Sequence, residues 1–494
     1  MKPFLTTDTH FFHKKIIDFC GRPEDYQERI FKGLSLLPED SILFHLGDVC
    51  MGKDEEAHEK YIKPLKYKKI LVKGNHDKKC LSEKTRLLTK TGYKSFNEIK
   101  IGDIIPTVNL KNNIVEYKPI KNIYIYNHDG AMYVAKNKRS SMEVTNFHVV
   151  INQLASEKIK NTWKKQLAEN LWSSKTPFRI PVRFPSSSNY LIDKNELKLI
   201  AWIMTDGSID DKSGQLRVYQ SKQEIVKEIR DLLQKLKLPF KEKVRTKKTQ
   251  EILGKPLKTC LPAHTFYVDL KASRDFCLKH NYFHKYDPPT WLFDLSDVDF
   301  GIFLNTLIKG NGHIQNSGTR VLWGQKELLS FIMGLCVTHN KHANICKQSG
   351  KNNYYLSIRR DMELKQFNSK SLSVQHYKGV VWCVEVDNNV IFVELKGKTF
   401  VTGNSNAWYY EHGWDFVCEQ FKDRMFGKNI VFSHIPVVWD GWYEVNVHGH
   451  FHNLDHRRHE PDIFAIKNPA QKLLALEYTN YLPVSLEKFL EVNK

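Results

Sequence analysis

The sequence predicts a multi-domain chain in which one unit is cut in two by an insert of a different kind. Two observations predict it. A series of metal-ligand clusters, each closing a strand-like apolar run, stops after 74–77 and resumes only near Ser405. The stretch between has short strands and turns at its edges and, inside, a compact apolar segment ending in Asp206-Gly207 whose shape recurs over 303–314. At 494 residues the chain has length for about three domains.

Composition bounds the classes. The formal charge is +20, with Lys and Arg clustered between 158 and 360, which favours an acidic polymer as partner. Hydrophobic content of 41% is ample for packed cores. No uninterrupted apolar run of about 18 residues occurs, and Met1-Lys2-Pro3-Phe4 lacks a signal-peptide pattern, so a cytoplasmic protein without a membrane partner is expected. The nine cysteines are scattered and form no C-x-x-C pair, which argues against a disulfide framework or zinc ribbon.

The split unit comes first. Asp8-Thr9-His10 follows an apolar run at 3–6, Gly47-Asp48 follows 42–46, and Gly74-Asn75-His76-Asp77 follows 70–72. Ser433-His434 follows 429–432, and Gly449-His450-Phe451-His452 follows 444–447. Carboxylate, imidazole and amide ligands delivered from several strand ends suit hard and borderline divalent cations. A lone histidine in a strand is usually structural, but clusters in this order argue otherwise. Residues 1–79 and 405–494 together have the length of one domain. Their pattern resembles the calcineurin-like metallophosphoesterases. The resemblance implies an α/β sandwich of two sheets flanked by helices, acting on a phosphoester substrate with two divalent metals (Mn, Fe, Ni or Zn). It also implies that Asp8, His10 and His452 hold one metal, Asn75, His434 and His450 the other, and that Asp48 bridges them. His76 would be the general acid, oriented by Asp77. His13, His45, His448 and His456 are expected at the surface or behind the ligands.

The insert opens at Cys80. Thr145-Asn146-Phe147-His148, Val381-Trp382-Cys383-Val384 and Phe400-Val401-Thr402-Gly403-Asn404 follow, with Ser405 next. This order resembles the inteins, self-splicing inserts with an initial Cys, a T-x-x-H block, a hydrophobic V-W-C-V-type block, and a terminal Asn before Ser, Thr or Cys. The resemblance implies an all-β Hint splicing domain built from 80–185 and 366–404, needing no cofactor. The Cys80 thiol can attack the Lys79 carbonyl, Thr145 and His148 can polarise that amide and protonate its nitrogen, Ser405 can take over the acyl group, and Asn404 can cyclise. Gly403 stands where inteins usually carry His, and Cys383 where many carry Asp. Cys383 is read two ways, as a participant in branching or proton transfer and as a half-buried strand residue.

Inside the insert, 199–209 and 303–314 are apolar segments ending near Asp206 and Asn311. Each precedes a short strand-like run and a helix-like one, 222–236 and 326–339. The doubled pattern resembles LAGLIDADG homing endonucleases. That implies an α+β domain at 186–365 with two αββαββα halves on duplex DNA, and two packed helices each giving one acid to a Mg²⁺-dependent site. Asp206 keeps its acid and Asn311 does not, so DNA binding is expected to outlast double-strand cleavage. Lys222, Lys243, Lys247, Lys248, Arg217, Arg245 and Arg320 are candidate phosphate contacts. Because the insert begins close to His76, phosphoesterase activity is expected to depend on excision. The alternative is a non-splicing phosphoesterase with a permanent DNA-binding module at 190–365.

Overall fold

A computed structural model of the chain describes all residues except 52, 75, 76, 78, 79, 157–161, 175, 246–250, 253, 254, 257–260, 360–366, 404, 405, 454–467, 493 and 494. Asn75, His76, Asn404, Ser405, Lys247, Lys248 and His456 therefore lie outside the described residues.

The split unit assembles from both ends of the chain. Lys2–Thr6, Ser41–His45, Lys68–Val72 and Phe416–Cys418 pair in parallel, with Val484–Ser485 antiparallel at the far edge. A second sheet runs Gln420–Met425, Lys428–Ser433, Val445–His448, Gln471–Leu473, and its last three strands are parallel. Leu5, Phe44 and Val72 from one sheet meet Ile430, Phe432 and Val447 from the other in one buried core. Phe44 stacks on Phe432 with ring centroids 4.5 Å apart. This is an α/β sandwich, in which the parallel strands of the first sheet are buried on both faces, Phe44 and Val72 toward the second sheet and Leu43 and Leu71 on the other side.

The insert contains a closed barrel of Leu81–Ser82, Asn122–Lys136, Ser141–Thr145 and Leu372–Glu385. The two long strands pair from Leu372↔Ala135 through Glu385↔Asn122. Short Leu81 is clasped between Val144 and Trp382, which fixes the position of Cys80 just before it.

Between the barrel's halves lies a twofold repeat. Helix Lys194–Asp206, strands Gly207–Ile209 and Leu216–Gln220, helix Gln223–Lys235, and strands Phe240–Arg245 and Ala263–Val268 form the first half. Helix Asp297–Asn311, strands Gly312–Ile314 and Arg320–Gly324, helix Lys326–Thr338, and strands Ala343–Lys347 and Tyr354–Ile358 form the second. The strand order within the two sheets is equivalent. Lys194–Asp206 and Asp297–Asn311 pack on each other where Gly310 leaves room: a Cβ there would collide with Thr205 and lie 3.1 Å from Asp206 Oδ2. Helix-like runs read at 222–236 and 326–339 thus appear with nearly those bounds.

The halves are attached differently. Asn344, in the second half, pairs with Lys398 of strand Lys398–Gly403, and Ile345 donates to the Gly397 carbonyl at 2.8 Å. Helix Lys326–Thr338 is buried from Leu328 onward, with Gly334 against Leu88. The first half instead leaves one sheet face open. Arg217 lies opposite Tyr267 and Lys241, Tyr219 opposite Thr265 and Lys243, and Arg245 opposite Ala263, so these side chains share that face. Arg217 also pairs with Asp210 at 3.2 Å.

No disulfide joins described cysteines. No described helix is long and apolar enough to cross a membrane.

Candidate metal centre and the residues at the insert edges

The clusters converge because parallel strands end on the same side. Asp8, Asp48 and Gly74 follow three neighbouring parallel strands, and His434 and His450 follow two in the facing sheet. Turning the side chains inward requires unusual backbone. Asp8, His10, Asp48, His450 and His452 have φ of 46°, 46°, 54°, 73° and 50°. Each such residue costs about 1–3 kcal/mol, a strain typical of functional loops.

The glycines of the motifs have a steric reason. A Cβ on Gly449 would collide with Thr7 Oγ1 and Asp8 Oδ2, one on Gly74 with Asp48 Oδ1, and one on Gly47 would lie 2.7 Å from His434 Nδ1. Gly47 also has φ +94°.

Two groups of donors result. Asp8, His10 and His452 form one, with His10 Nε2 and His452 Nε2 each 3.7 Å from Asp8 Oδ1. Asp48, His434 and His450 form the other, with His434 Nε2 3.2 Å from Asp48 Oδ2 and 3.1 Å from His450 Nδ1. His10 Nε2 lies 3.9 Å from Asp48 Oδ2, so Asp48 faces both groups. Six of the candidate ligands therefore meet with the insert in place.

The residues fit divalent cations. Asp8 Oδ1 is buried and accepts no hydrogen bond from the described residues, an expensive state unless a cation faces it. The donor set is imidazole and carboxylate, as borderline metals prefer. The field points the same way. Burial pushes His434 down, but the charge and hydrogen bond of Asp48 outweigh it and hold it up at about 9. Burial likewise opposes charge on His452, yet Asp8 and its hydrogen bonds raise it to about 10. His10 falls to about 3 through burial, with only partial relief from Asp8, and is a neutral imidazole.

Asp77 ties two loops of the centre together. Its carboxylate accepts from the backbone N–H groups of Asp48 (2.8 Å), Gly74 (2.9 Å) and Val49 (3.4 Å), tying the Asp48 and Gly74 loops together. Burial, and next the charge of Asp48, raise it to about 7. His45 and His448 are buried, not exposed; His45 Nε2 contacts Thr9 Oγ1 at 3.0 Å. His13 packs beside His10 with centroids 5.2 Å apart.

Three supporting residues had no motif. Thr7 Oγ1 donates to Asp8 Oδ2 at 2.5 Å. Arg22, fully buried, donates to the carbonyls of Asp8 (2.8 Å) and Thr9 (3.2 Å) and pairs with Glu477 at 2.8 Å. Glu477 Oε1 in turn lies 3.3 Å from His452 Nδ1, fixing that ring from behind. Burial opposes the Glu477 charge, but His452 and Arg22 overcome it and hold the carboxyl down at about 2. Glu477 lies far from any cluster in sequence, so only the fold reveals it.

At the insert edge, Cys80 is buried and its amide nitrogen lies 2.9 Å from Thr145 Oγ1. Thr145 Oγ1 is 3.4 Å from the Cys80 carbonyl, and the Thr145 N–H donates to that carbonyl at 3.0 Å. His148 Nε2 contacts Thr402 Oγ1 at 2.7 Å, two residues before Asn404. Cys383 is fully buried and shares a small cluster with Cys80, Met132 and Val381. Gly403 cannot be a truncated histidine site in this fold, because a Cβ there would lie 2.7–2.8 Å from the side chain and carbonyl of Val149.

At the paired helices, Asp206 is half-buried and accepts from Gln220 Nε2 at 3.2 Å. Burial raises its carboxyl, partly offset by Lys285 and Lys222. Asn311 is exposed, and its Nδ2 donates to the Trp323 carbonyl at 2.8 Å.

Comparison with known proteins gives several partial likenesses. The beta subunit of ribonucleoside-diphosphate reductase from Aquifex aeolicus is 23% identical over 381 residues, covering 68% of this chain and 52% of that protein. An uncharacterized protein of Methanocaldococcus jannaschii is 32% identical over 99 residues, 19% of this chain and 55% of that one. The chain thus spans about half the length of the curated relatives it matches. Among solved structures, a mesophilic variant of the homing endonuclease I-DmoI is 13% identical over 34% of this chain and 89% of its own, with a TM-score of 0.25. The N-terminal LAGLIDADG domain of DUF199/WhiA is 16% identical over 34% of this chain and 78% of its own, with a TM-score of 0.24. The calcineurin-like phosphoesterase family model matches residues 1–210, the part that carries Asp8, His10, Asp48 and Asp77.

Proposed function

We propose that the chain is the precursor of a two-metal phosphoesterase, interrupted by an intein-type insert that excises residues 80–404 and joins Lys79 to Ser405. The central 186–365 is read as a LAGLIDADG-type duplex-DNA-binding unit. The observation that carries the splicing reading is the 2.9 Å contact of Thr145 Oγ1 with the amide nitrogen of Cys80, the nitrogen that must leave.

Cys80 Sγ forms a bond to the Lys79 carbonyl carbon, the Lys79–Cys80 amide breaks, and its nitrogen takes a proton, giving a thioester. Thr145 steers that nitrogen and carbonyl. Ser405 Oγ then attacks the thioester carbonyl and displaces the Cys80 thiolate. The Asn404 side-chain nitrogen attacks its own backbone carbonyl, breaking the bond to Ser405 and freeing the insert with a cyclic imide at its end. The freed Ser405 amine takes the acyl group from its own oxygen. Gly403 stands where a histidine would precede Asn404 in the chain, and His148, whose Nε2 contacts Thr402 Oγ1, is an imidazole held on that strand. Holding the groups in one barrel makes each attack intramolecular.

In the host, Asp8, His10 and His452 would hold one divalent ion and His434 and His450 the other, with Asp48 between; Asn75 remains a candidate ligand. Two such ions supply charge stabilisation and an activated nucleophile for hydrolysis. The chain's own part is to hold these donors: Asp77 locks two loops by their N–H groups, and Glu477 fixes the His452 ring. His76 remains the proposed general acid.

One observation favours the second reading, in which the insert is permanent: the two donor groups already converge in the uncut chain. Mass analysis after expression decides. A free insert plus a joined 1–79/405–494 product supports splicing; a stable full-length chain with phosphoesterase activity supports permanence. Cys80→Ala should abolish joining, and Asn404→Ala should allow cleavage before Cys80 yet block release. Joined product from either variant ends the splicing assignment.

A further inference from the structure

A residue of the host reaches the reactive edge of the insert. Lys73 follows strand Lys68–Val72, and its N–H donates to the Cys418 carbonyl at 2.8 Å. Its side chain is buried, with Nζ 2.7 Å from Glu419 Oε1. Lys73 belongs to the N-terminal host piece and Glu419 to the C-terminal one. The two meet because Phe416–Cys418 pairs in parallel with Ile70 to Val72.

This pair is in contact with the barrel. The ammonium lies over the Tyr124 ring at 4.3 Å and near that of Tyr126 at 5.8 Å, and the Tyr126 hydroxyl donates to Glu419 Oε1. Tyr124 stands directly opposite Cys383 in the barrel, and Tyr126 opposite Val381. Tyr126 also packs on the cluster of Cys80, Met132, Val381 and Cys383. A buried cation is thus held beside two buried thiols.

Resting on the splicing reading, we propose that Lys73 is a positioning residue for the insert's chemistry: its ammonium favours thiolate at Cys80 and Cys383, and it is in place only when both host pieces have paired. Thiolate is the nucleophile, and a neighbouring cation in a water-poor site raises its share. Excision is then licensed by a folded host, so that joining does not outrun assembly of the product.

Burial opposes the charge on Lys73, but Glu419, then Cys80 and Cys383, outweigh it and raise the ammonium's pKa. Burial raises Tyr126 and Tyr410, and pushes Cys418 up to about 12. Tyr124 contributes its ring and Glu419 its carboxylate.

The test uses the full chain and follows cleavage before Cys80, released by hydroxylamine, as a function of pH, with circular dichroism as a check on folding. Lys73→Met should move the rate profile up by about one pH unit and slow cleavage about tenfold at neutral pH. Lys73→Arg should restore it. Glu419→Gln keeps the ammonium but removes its counter-charge, and should move the profile down; if Lys73→Met does not fold, this variant decides alone. A profile that stays in place in the folded variants, or that moves the same way in both, overturns the proposal, since a purely structural role would not give opposite signs. Cys80→Ala separates the two levels. Joined product from Cys80→Ala removes the splicing reading itself. Blocked joining there, with a Lys73→Met profile that does not move, removes only the role of Lys73.

Discussion

At the host centre, five candidate ligands stand on backbone with φ between 46° and 73°, and their side chains face inward across two sheets. At the paired helices of the insert, Asp206 and Asn311 simply close regular helices, and each side chain is taken up locally, by Gln220 Nε2 and by the Trp323 carbonyl. The first arrangement spends conformational strain to gather charge. The second has tight helix packing at Gly310 but no gathered charge, since one of its two positions is neutral. Ligand identity alone does not make a metal centre; the backbone must also turn the ligands toward one another.

The largest test of that contrast is chelation. Dialysis of the full chain against a strong chelator should abolish turnover of bis-p-nitrophenyl phosphate and leave the joining of 1–79 to 405–494 unchanged, read by assay and mass. Loss of both together would mean that the two chemistries share a metal. Next is Asp48→Asn, which removes the carboxylate facing both donor groups. If it supplies several kcal/mol of charge stabilisation, turnover should fall about 10³-fold. His13→Ala, beside His10 but in neither donor group, should change it far less. Similar losses in the two variants would break the two-group description.

Glu477→Gln keeps the shape but weakens the hold on His452, so metal affinity should fall about 10–100-fold by titration, with the protein still folded. Unchanged affinity would show that Arg22 and packing alone fix the ring. The smallest expected effect is at the helices. Asn311→Asp replaces the donor facing the Trp323 carbonyl with an acceptor, forfeiting a bond worth about 1 kcal/mol. The freed carboxylate should raise Mg²⁺-dependent cutting of duplex spanning the uninterrupted gene, measured with splicing blocked at Cys80. No change in cutting would show that the missing charge is not what limits this centre.

Much of this was legible in the chain because the host chemistry sits at strand ends and in short motifs. Gly47-Asp48 and Gly449-His450-Phe451-His452 mark turns whose glycines answer to close neighbours, the Gly74 backbone and His434 ring at Gly47 and the Thr7 and Asp8 side chains at Gly449, a constraint that leaves a trace in sequence. The doubled helices around Asp206 and Asn311 were visible as repeated apolar runs. Glu477, Arg22 and Lys73 were not, because each pairs with a residue far away in the chain, His452 or Glu477 or Glu419, at no spacing that a motif would record. The loop-tying role of Asp77 was equally hidden: its carboxylate accepts from three backbone N–H groups, of Asp48, Val49 and Gly74, which no motif records. Isolated Gly403 could be noticed but not explained until Val149 was seen to occupy the space.

The pairing of Asn344 with Lys398, flanked by the hydrogen bond from Ile345 to Gly397, has a consequence for anyone wishing to shorten the insert. Excising 186–365 would leave strand Lys398–Gly403 paired with Val390–Leu395 on one side only and uncover Leu88 beneath the lost Lys326–Thr338 helix. The remnant would carry a bare strand edge beside an apolar patch, the combination that recruits other chains. A miniature version needs a replacement cap on that side, such as a charged edge residue or a short covering helix.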